Sequence, residues 1–124
     1  MKTIRQIAAI LLAAILLLAA LSHAKAEDVI HEKPIRLHHL AGRVVDRKGL
    51  AIPYSAIEMR DAKDQHMIAT TFADANGNFS FADRKHGEKL ELRISLKGFN
   101  TSQYTVYLEF FGNERLRAVL SPAT

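Results

Sequence analysis

The sequence predicts an all-β fold, a sandwich of seven short antiparallel strands. From Ile35 onward, apolar residues alternate with polar ones over short stretches, and turn-forming residues interrupt them about every ten residues. Residues 90–96 alternate without a break, which places four aliphatic side chains on one face and polar or charged side chains on the other. No segment in this part of the chain keeps the period of an amphipathic helix. Short strands with turns between them are typical of a two-layered antiparallel sandwich.

The first 26 residues have the character of a secretory signal peptide. A short basic start is followed by an apolar run at residues 7–21, whose 15 residues fall short of the roughly 20 that a membrane-spanning helix needs. Small residues follow at Ala24 and Ala26, as a signal peptidase requires. We therefore expect cleavage after Ala26, with residues 22–24 as a second possible site and an uncleaved membrane anchor as the alternative. The mature chain would be periplasmic or secreted and would meet the membrane only during export.

Charge and cysteine content bear on the possible partners. The full sequence has a net charge of +4, but residues 1–26 contain three basic residues and no acidic one, so the mature chain has a net charge of +1. The overall charge therefore gives no support for nucleic acid as a partner, which would require a basic patch on the folded domain. The sequence contains no cysteine, which excludes disulfides, cysteine-ligated zinc and a cysteine nucleophile. We expect no cofactor.

The domain proper is expected at residues 38–124. Residues 27–37 are predicted to form a flexible lead-in, because they begin with a polar segment that has no apolar period and contains proline. The first strand is predicted over residues 38–45. It ends at a turn in which Asp46 and Gly49 suit the first and last positions.

The middle strands are separated by recognisable turns. A second strand is predicted at residues 53–59, where a proline at the first position does least harm to strand pairing. A third is predicted at residues 67–72, which are rich in β-branched side chains. Asn76 and Gly77 then favour a hairpin turn that pairs the third strand with a fourth at residues 79–81, whose two phenylalanines would enter the core.

Three further strands complete the predicted sandwich. The fifth, at residues 90–96, has the clearest alternation in the chain. The sixth, at residues 104–110, would direct four apolar or aromatic side chains inward, the last of them Phe110. The seventh, at residues 115–120, would add alternate aliphatic side chains to the same core.

Glycines, turn residues and strand residues occur in this region at a spacing that resembles a known family. The residues that carry the likeness are Gly42, Arg43, Val44, Val45, Asp46, Gly49, Pro53, Ala56, Ile57, Thr70, Thr71, Asp74, Gly77, Asn78, Phe79, Gly98 and Phe99. The pattern resembles the carboxypeptidase regulatory-like domain, a prealbumin-like β-sandwich of Greek-key type. The resemblance implies a non-catalytic accessory or binding module. Tyr54 and Ser55 stand where the family often has glycine before its second strand.

Catalytic motifs are missing from the sequence. A fold related to this family is used by the transthyretin-like hydrolases of 5-hydroxyisourate, which end in Tyr-Arg-Gly-Ser, whereas residues 121–124 read Ser-Pro-Ala-Thr. Neither a nucleophile elbow, nor a zinc-binding His-Glu-x-x-His helix, nor a glycine-rich phosphate loop occurs. We therefore expect no enzyme activity, with a small transthyretin-like hydrolase as the third alternative.

Histidines form the first candidate binding site. If the seven strands run alternately up and down, the chain gathers several histidines and aspartates at one end of the sandwich: His38, His39, His66, His86, Asp61, Asp64 and Asp83. Neutral imidazole binds Zn²⁺, Cu²⁺ or Ni²⁺. His39, His66 and His86 are thus candidate metal ligands, and scattered surface histidines are the other interpretation. A shared ion requires these imidazoles to lie within about 10 Å of one another.

Tyr107 and Phe111 form the second candidate site. Both lie on the face of the sixth strand opposite its core residues, among polar side chains. Exposed aromatics can stack on a sugar or anchor a protein partner, and the other interpretation is that they cover the end of the core. Our functional prediction is a non-catalytic exported binding module of the cell envelope, with a protein or a glycan as its ligand. A periplasmic metal-binding protein is the first alternative.

Overall fold

The computed structural model describes residues 28–124. The predicted signal peptide lies outside this range. The described part of the chain contains these nine strands: β1 (Val29–His31), β2 (Ile35–Leu37), β3 (Ala41–Val45), β4 (Ala56–Asp61), β5 (Met67–Phe72), β6 (Asn78–Ser80), β7 (Lys89–Ser95), β8 (Thr101–Leu108) and β9 (Leu116–Val119). Between residues 28 and 124 there is no helix of the length and hydropathy that crossing a membrane requires.

The strands form two sheets. The large sheet has the order β1-β8-β7-β4-β5, with β2 also paired to β8, and the small sheet has the order β6-β3-β9. The predicted all-β sandwich is confirmed, but it has nine strands in place of seven. Three pairs are parallel, namely β1 with β8, β2 with β8 and β3 with β9. A parallel pair joins strands that are distant in sequence, so no local turn announces it.

The core lies between the two sheets and follows from alternation along their strands. Leu90, Leu92 and Ile94 of β7 are fully buried, as the sequence predicts for the fifth strand. Val44 of β3 and Ala118 of β9 are buried opposite them in the small sheet. Burying each large aliphatic side chain stabilises the fold by about 1.5–3 kcal/mol.

Glu91 departs from the predicted solvent-facing position. Its side chain points to the outer face of the large sheet, yet only 9% of the residue is exposed. Arg60 and Thr105 are its register partners on the two neighbouring strands and lie on either side of it. Glu91 is therefore covered by polar side chains of the two neighbouring strands.

Residues 28–37, the described part of the predicted flexible lead-in, contain two paired strands instead. β1 and β2 pair with β8, and Leu37 is fully buried in the core. The backbone N–H of Glu109 donates to the carbonyl of Leu37 at 2.9 Å, which ties β2 to the end of β8. The apolar alternation around Arg36 is only three residues long and follows a proline, so periodicity alone does not reveal it.

The predicted hairpin around Asn76 and Gly77 is wrong. β5 pairs with β4 in the large sheet, whereas β6 pairs with β3 in the small sheet, so the connection crosses between sheets. The turn itself is tight: the Asp74 carboxylate accepts hydrogen bonds from the backbone N–H groups of Asn76 and Asn78, both at 2.9 Å. Gly77 has φ of +80°, and a Cβ there would lie 2.6 Å from the carbonyl oxygen of Val44. The turn chemistry is local and does not specify which strand the chain pairs with next.

Leu37→Ala should lower the free energy of unfolding by about 2–5 kcal/mol, because it leaves a cavity at a fully buried site. Leu50→Ala is the matched control, since the same atoms are removed from a residue that is 65% exposed and the change should stay within about 0.5 kcal/mol. Urea unfolding followed by circular dichroism measures both. Equal, small effects would show that β2 is not part of the folded core.

Candidate functional site

Three connections meet at one end of the sandwich. They are residues 38–40 between β2 and β3, residues 81–88 between β6 and β7, and residues 109–115 between β8 and β9. They meet because β2 and β8 run parallel and finish side by side, with Leu37 opposite Leu108. The backbone N–H of Gly87 donates to the carbonyl of Leu108 at 2.6 Å, which holds the second connection against the same strand end.

A cluster of three histidines occupies this end. The ring centroids of His38 and His39 are 4.3 Å apart, and those of His38 and His86 are 4.9 Å apart. The Nε2 atom of His86 lies 3.3 Å from the carbonyl oxygen of His38. The Nδ1 atom of His38 is buried and has no hydrogen-bond partner within residues 28–124. We call His38, His39 and His86 the histidine cluster.

Two carboxylates flank the outer member of the histidine cluster. His39 Nδ1 lies 3.3 Å from the carboxylate of Asp83, and its Nε2 lies 3.7 Å from that of Glu114. All three side chains are substantially exposed. Both ring nitrogens of His39 therefore face acidic oxygens, an arrangement that suits a charged, hydrated rim.

His66 does not belong to the histidine cluster. It lies in the turn between β4 and β5, where its Nδ1 is 2.5 Å from the Asp64 carboxylate. The backbone N–H of His66 also donates to Asp64, and this bond is the main reason that the pKa of Asp64 is lowered. Within residues 28–124, Asp61, Asp64 and His66 are the one group of three whose possible metal-ligand atoms lie within 4.8 Å of one another.

The predicted metal set of His39, His66 and His86 is therefore not brought together. His39 and His86 share one cluster, whereas His66 has local partners of its own. The up-and-down rule places all three at one end of the sandwich, but it does not say how far apart they lie across the sheet. β7 separates β8 from β4 in the large sheet, and the turn of His66 follows β4.

Two adjacent phenylalanines project beside the histidine cluster. Phe111 is 94% exposed and Phe110 is 65% exposed, and their rings pack edge to face with centroids 5.0 Å apart. The ring of Phe110 also contacts His38 edge to face, at a centroid distance of 5.4 Å, and lies 6.0 Å from that of His86. We call Phe110 and Phe111 the aromatic knob.

The prediction that Phe110 faces the core is wrong. β8 ends at Leu108, and the backbone N–H of Gly112 donates to the carbonyl of Glu109 to close a turn. A Cβ on Gly112 would lie 2.4 Å from the backbone of Leu37, so the turn passes close over β2. Gly112 and the asparagine after it are the sequence signal that could have ended the strand earlier.

The two aromatic residues of the predicted partner site are placed differently. Phe111 is a surface residue, which excludes the interpretation that it covers the core. Tyr107 is 36% exposed and lies on the outer face of the large sheet, with the ammonium of Lys89 5.5 Å from its ring centroid. The aromatic partner of Phe111 is Phe110 rather than Tyr107.

An open groove leads away from the histidine end. Its volume is about 710 Å³, and it is lined by His39, Asp83 and Glu114 at one end and by Asp74 near the other. Between them it follows β5 and β6, which are edge strands of the two sheets. The site as a whole thus offers an apolar knob, a polar rim and an adjoining groove, which are features of a binding surface.

The comparison with protein families agrees with this architecture. The family model of the carboxypeptidase regulatory-like domain matches residues 39–121, a range that covers more than half of the chain, includes β3 to β9 and omits β1 and β2. No curated protein matches the sequence. Domains of the matched kind are regulatory β-sandwich modules without catalytic function. The chain therefore belongs to the carboxypeptidase regulatory-like domain family.

Proposed function

We propose that this chain is an exported, non-catalytic binding module of the cell envelope, and that it recognises a protein partner through the aromatic knob. The observation that carries the proposal is the exposure of two contacting phenylalanines, Phe110 and Phe111, at the tip of one connection. Single exposed apolar residues are ordinary on protein surfaces. A contacting pair that stands out from the surface exposes a larger continuous apolar area, which marks an interaction site.

The knob rests on a defined base. The ring of Phe110 lies against His38 and His86, and the carbonyl of Arg36 accepts a hydrogen bond from the backbone N–H of Asn113 at 2.9 Å. The knob is therefore held in place by packing and by main-chain hydrogen bonds to β2. A side chain that is already positioned loses less conformational entropy when a partner binds it.

The shape of the knob favours a protein over a glycan. The two phenylalanine rings stand at 85° to each other, which makes a wedge rather than a flat platform. Aromatic anchors of protein interfaces fill pockets and are surrounded by polar rims that exclude water. Asp83 and the Arg84–Glu88 ion pair on the neighbouring connection, together with Glu114 on the knob's own connection, provide such a rim.

Export is supported by the sequence. Cleavage after Ala26 would leave the described β-sandwich intact, because its first strand begins at Val29. The fold also contains no cysteine, so it does not depend on the redox state of its compartment.

When the full-length chain is expressed in a bacterium, the intact mass of the product should correspond to a chain that starts at Glu27. Replacing both small residues, Ala24→Leu with Ala26→Leu, should block cleavage, because the peptidase requires small side chains at these positions. Ala20→Leu within the apolar run is the control and should be processed normally. Mass spectrometry of the periplasmic, medium and membrane fractions measures the outcome. Wild-type protein that stays at full length in the membrane would contradict export with cleavage.

Phe111→Ala and Phe110→Ala should each weaken partner binding at least about tenfold, because buried aromatic anchors dominate interface energies. Tyr54→Ala is the matched control, since Tyr54 between β3 and β4 is 64% exposed, like Phe110, but lies outside both the knob and the groove. The partner is first captured by chemical cross-linking in the envelope fraction. It is then purified, and direct binding to each variant is measured by calorimetry.

The same variants separate binding from folding. All three should unfold within about 1 kcal/mol of the wild type, because each removes a largely exposed side chain. A partner that binds every variant equally would contradict the proposal. Retention on a glycan array that Phe111→Ala abolishes would assign the knob to a glycan instead.

A further inference from the structure

The outer face of the small sheet carries a cluster of arginines around a cleft. The cleft has a volume of about 250 Å³ and is lined by Arg43, Val45, Gly49, Arg115, Leu116 and Arg117. We call it the arginine cleft. It lies on the small sheet, whereas the aromatic knob follows β8 of the large sheet. Arg115 also lines the open groove, but Arg43 and Arg117 lie outside it.

Strand register brings the three guanidinium groups together. Arg43 and Arg117 are register partners on the parallel strands β3 and β9, so their side chains leave the same face of the sheet. Arg115 precedes Arg117 by two residues and shares this face, while Leu116 between them is buried in the core. The alternation that builds the core therefore also concentrates positive charge outside it.

These arginines are held by uncharged groups. Arg43 Nε donates to the carbonyl of Asn76 at 3.1 Å, and Arg115 donates to the side-chain oxygen of Asn78 at 2.6 Å. The guanidinium of Arg117 lies beside Gly49, where an added Cβ would be 3.3 Å from its Nη2 atom. Within residues 28–124, none of the three has a carboxylate oxygen within 4.0 Å, in contrast to Arg36, Arg60 and Arg84.

The acidic residues of the adjacent turns are directed elsewhere. Asp46 accepts hydrogen bonds from the backbone N–H groups of Lys48 and Leu50, and Asp74 accepts them within its own turn. Glu114 lies against His39 at the histidine end. Each guanidinium has five N–H donors, so most donors of the arginine cleft are left for a ligand.

We propose that the arginine cleft binds a tetrahedral oxyanion, a phosphate or sulfate group of a soluble compound or of a lipid headgroup. Guanidinium groups recognise phosphate through paired, charge-assisted hydrogen bonds, and three of them line this cleft without a counter-ion from residues 28–124. A planar carboxylate presents only two oxygens, so it would engage fewer of these donors. Gly49 leaves the mouth of the cleft open beside Arg117, because it has no side chain.

The test is a titration of the purified protein with inorganic phosphate, followed by NMR of the arginine Nε–H signals. The signals of Arg43, Arg115 and Arg117 should shift with one common affinity. Arg117→Gln and the double variant Arg43→Gln with Arg117→Gln should weaken binding at least about tenfold, because each removes charge-assisted hydrogen bonds. The controls Arg36→Gln and Arg84→Gln remove equal charge from arginines that pair with Glu109 and Glu88, and their affinity should match the wild type.

Several results would overturn the proposal. Equal losses in the control variants would show diffuse attraction rather than a site, and unchanged binding by Arg117→Gln would remove the cleft from the interaction. Arg117→Gln is also expected to fold normally, because the Arg117 side chain makes no hydrogen bond or ion pair within residues 28–124. A loss of binding in this variant would therefore not be explained by misfolding. Acetate that binds as tightly as phosphate would contradict a tetrahedral ligand.

Vesicles distinguish the two sources of the phosphate group. Co-sedimentation with phosphatidylglycerol vesicles but not with phosphatidylcholine vesicles, lost in Arg117→Gln, would identify an anionic lipid headgroup. Binding of inorganic phosphate without vesicle binding would identify a soluble phosphate compound. Failure of both phosphate and anionic vesicles to bind would overturn the proposal.

Discussion

The parallel pairing of β2 with β8 is the interaction on which the functional end of the molecule depends. It brings Leu37 opposite Leu108, so that both strands end at the same level. Main-chain hydrogen bonds then continue past the strand ends, from Glu109 to Leu37 and from His38 to Asn113, at 2.9 and 2.8 Å. These bonds place the histidine cluster beside the connection that carries the aromatic knob. Without β2, neither the knob nor the cluster would have a base.

β2 and β1 also lie outside the range that the family model matches. The matched range supplies both layers of the sandwich, and β1 and β2 extend the large sheet beyond β8. The proposed partner surface thus combines a connection within the matched range with a support from outside it.

The small sheet illustrates how a nearly neutral domain can concentrate charge. The mature chain would have a net charge of +1, yet one cleft is lined by three arginines that have no acidic partner in the part of the chain that the structure describes. Net charge sums over the whole surface, whereas a ligand responds to the local field. The acids nearest in sequence are occupied in turns, where their oxygens accept backbone hydrogen bonds. Turn formation therefore keeps these two carboxylates from acting as counter-ions to the arginines.

The sequence by itself determined the class of the fold and much of its core. The alternation in β7 and the turn of Asp74 are local, because strand period and turn chemistry depend on neighbouring residues. The family pattern is a series of such short motifs along the chain. The sequence left open whether Phe111 is exposed or covers the core. It placed Phe110 in the core wrongly, because β8 ends two residues before the end of the apolar alternation.

Tertiary structure alone decided which strands pair and which side chains meet. β6 pairs with β3 in the small sheet rather than with β5, and β2 pairs with β8. The ring of His86 packs against that of His38, whereas His66 contacts Asp64. The arginine cleft likewise exists only because β3 and β9 lie side by side. These contacts link residues far apart in the chain, and their register is set by the burial of the whole core, which no short stretch of sequence contains.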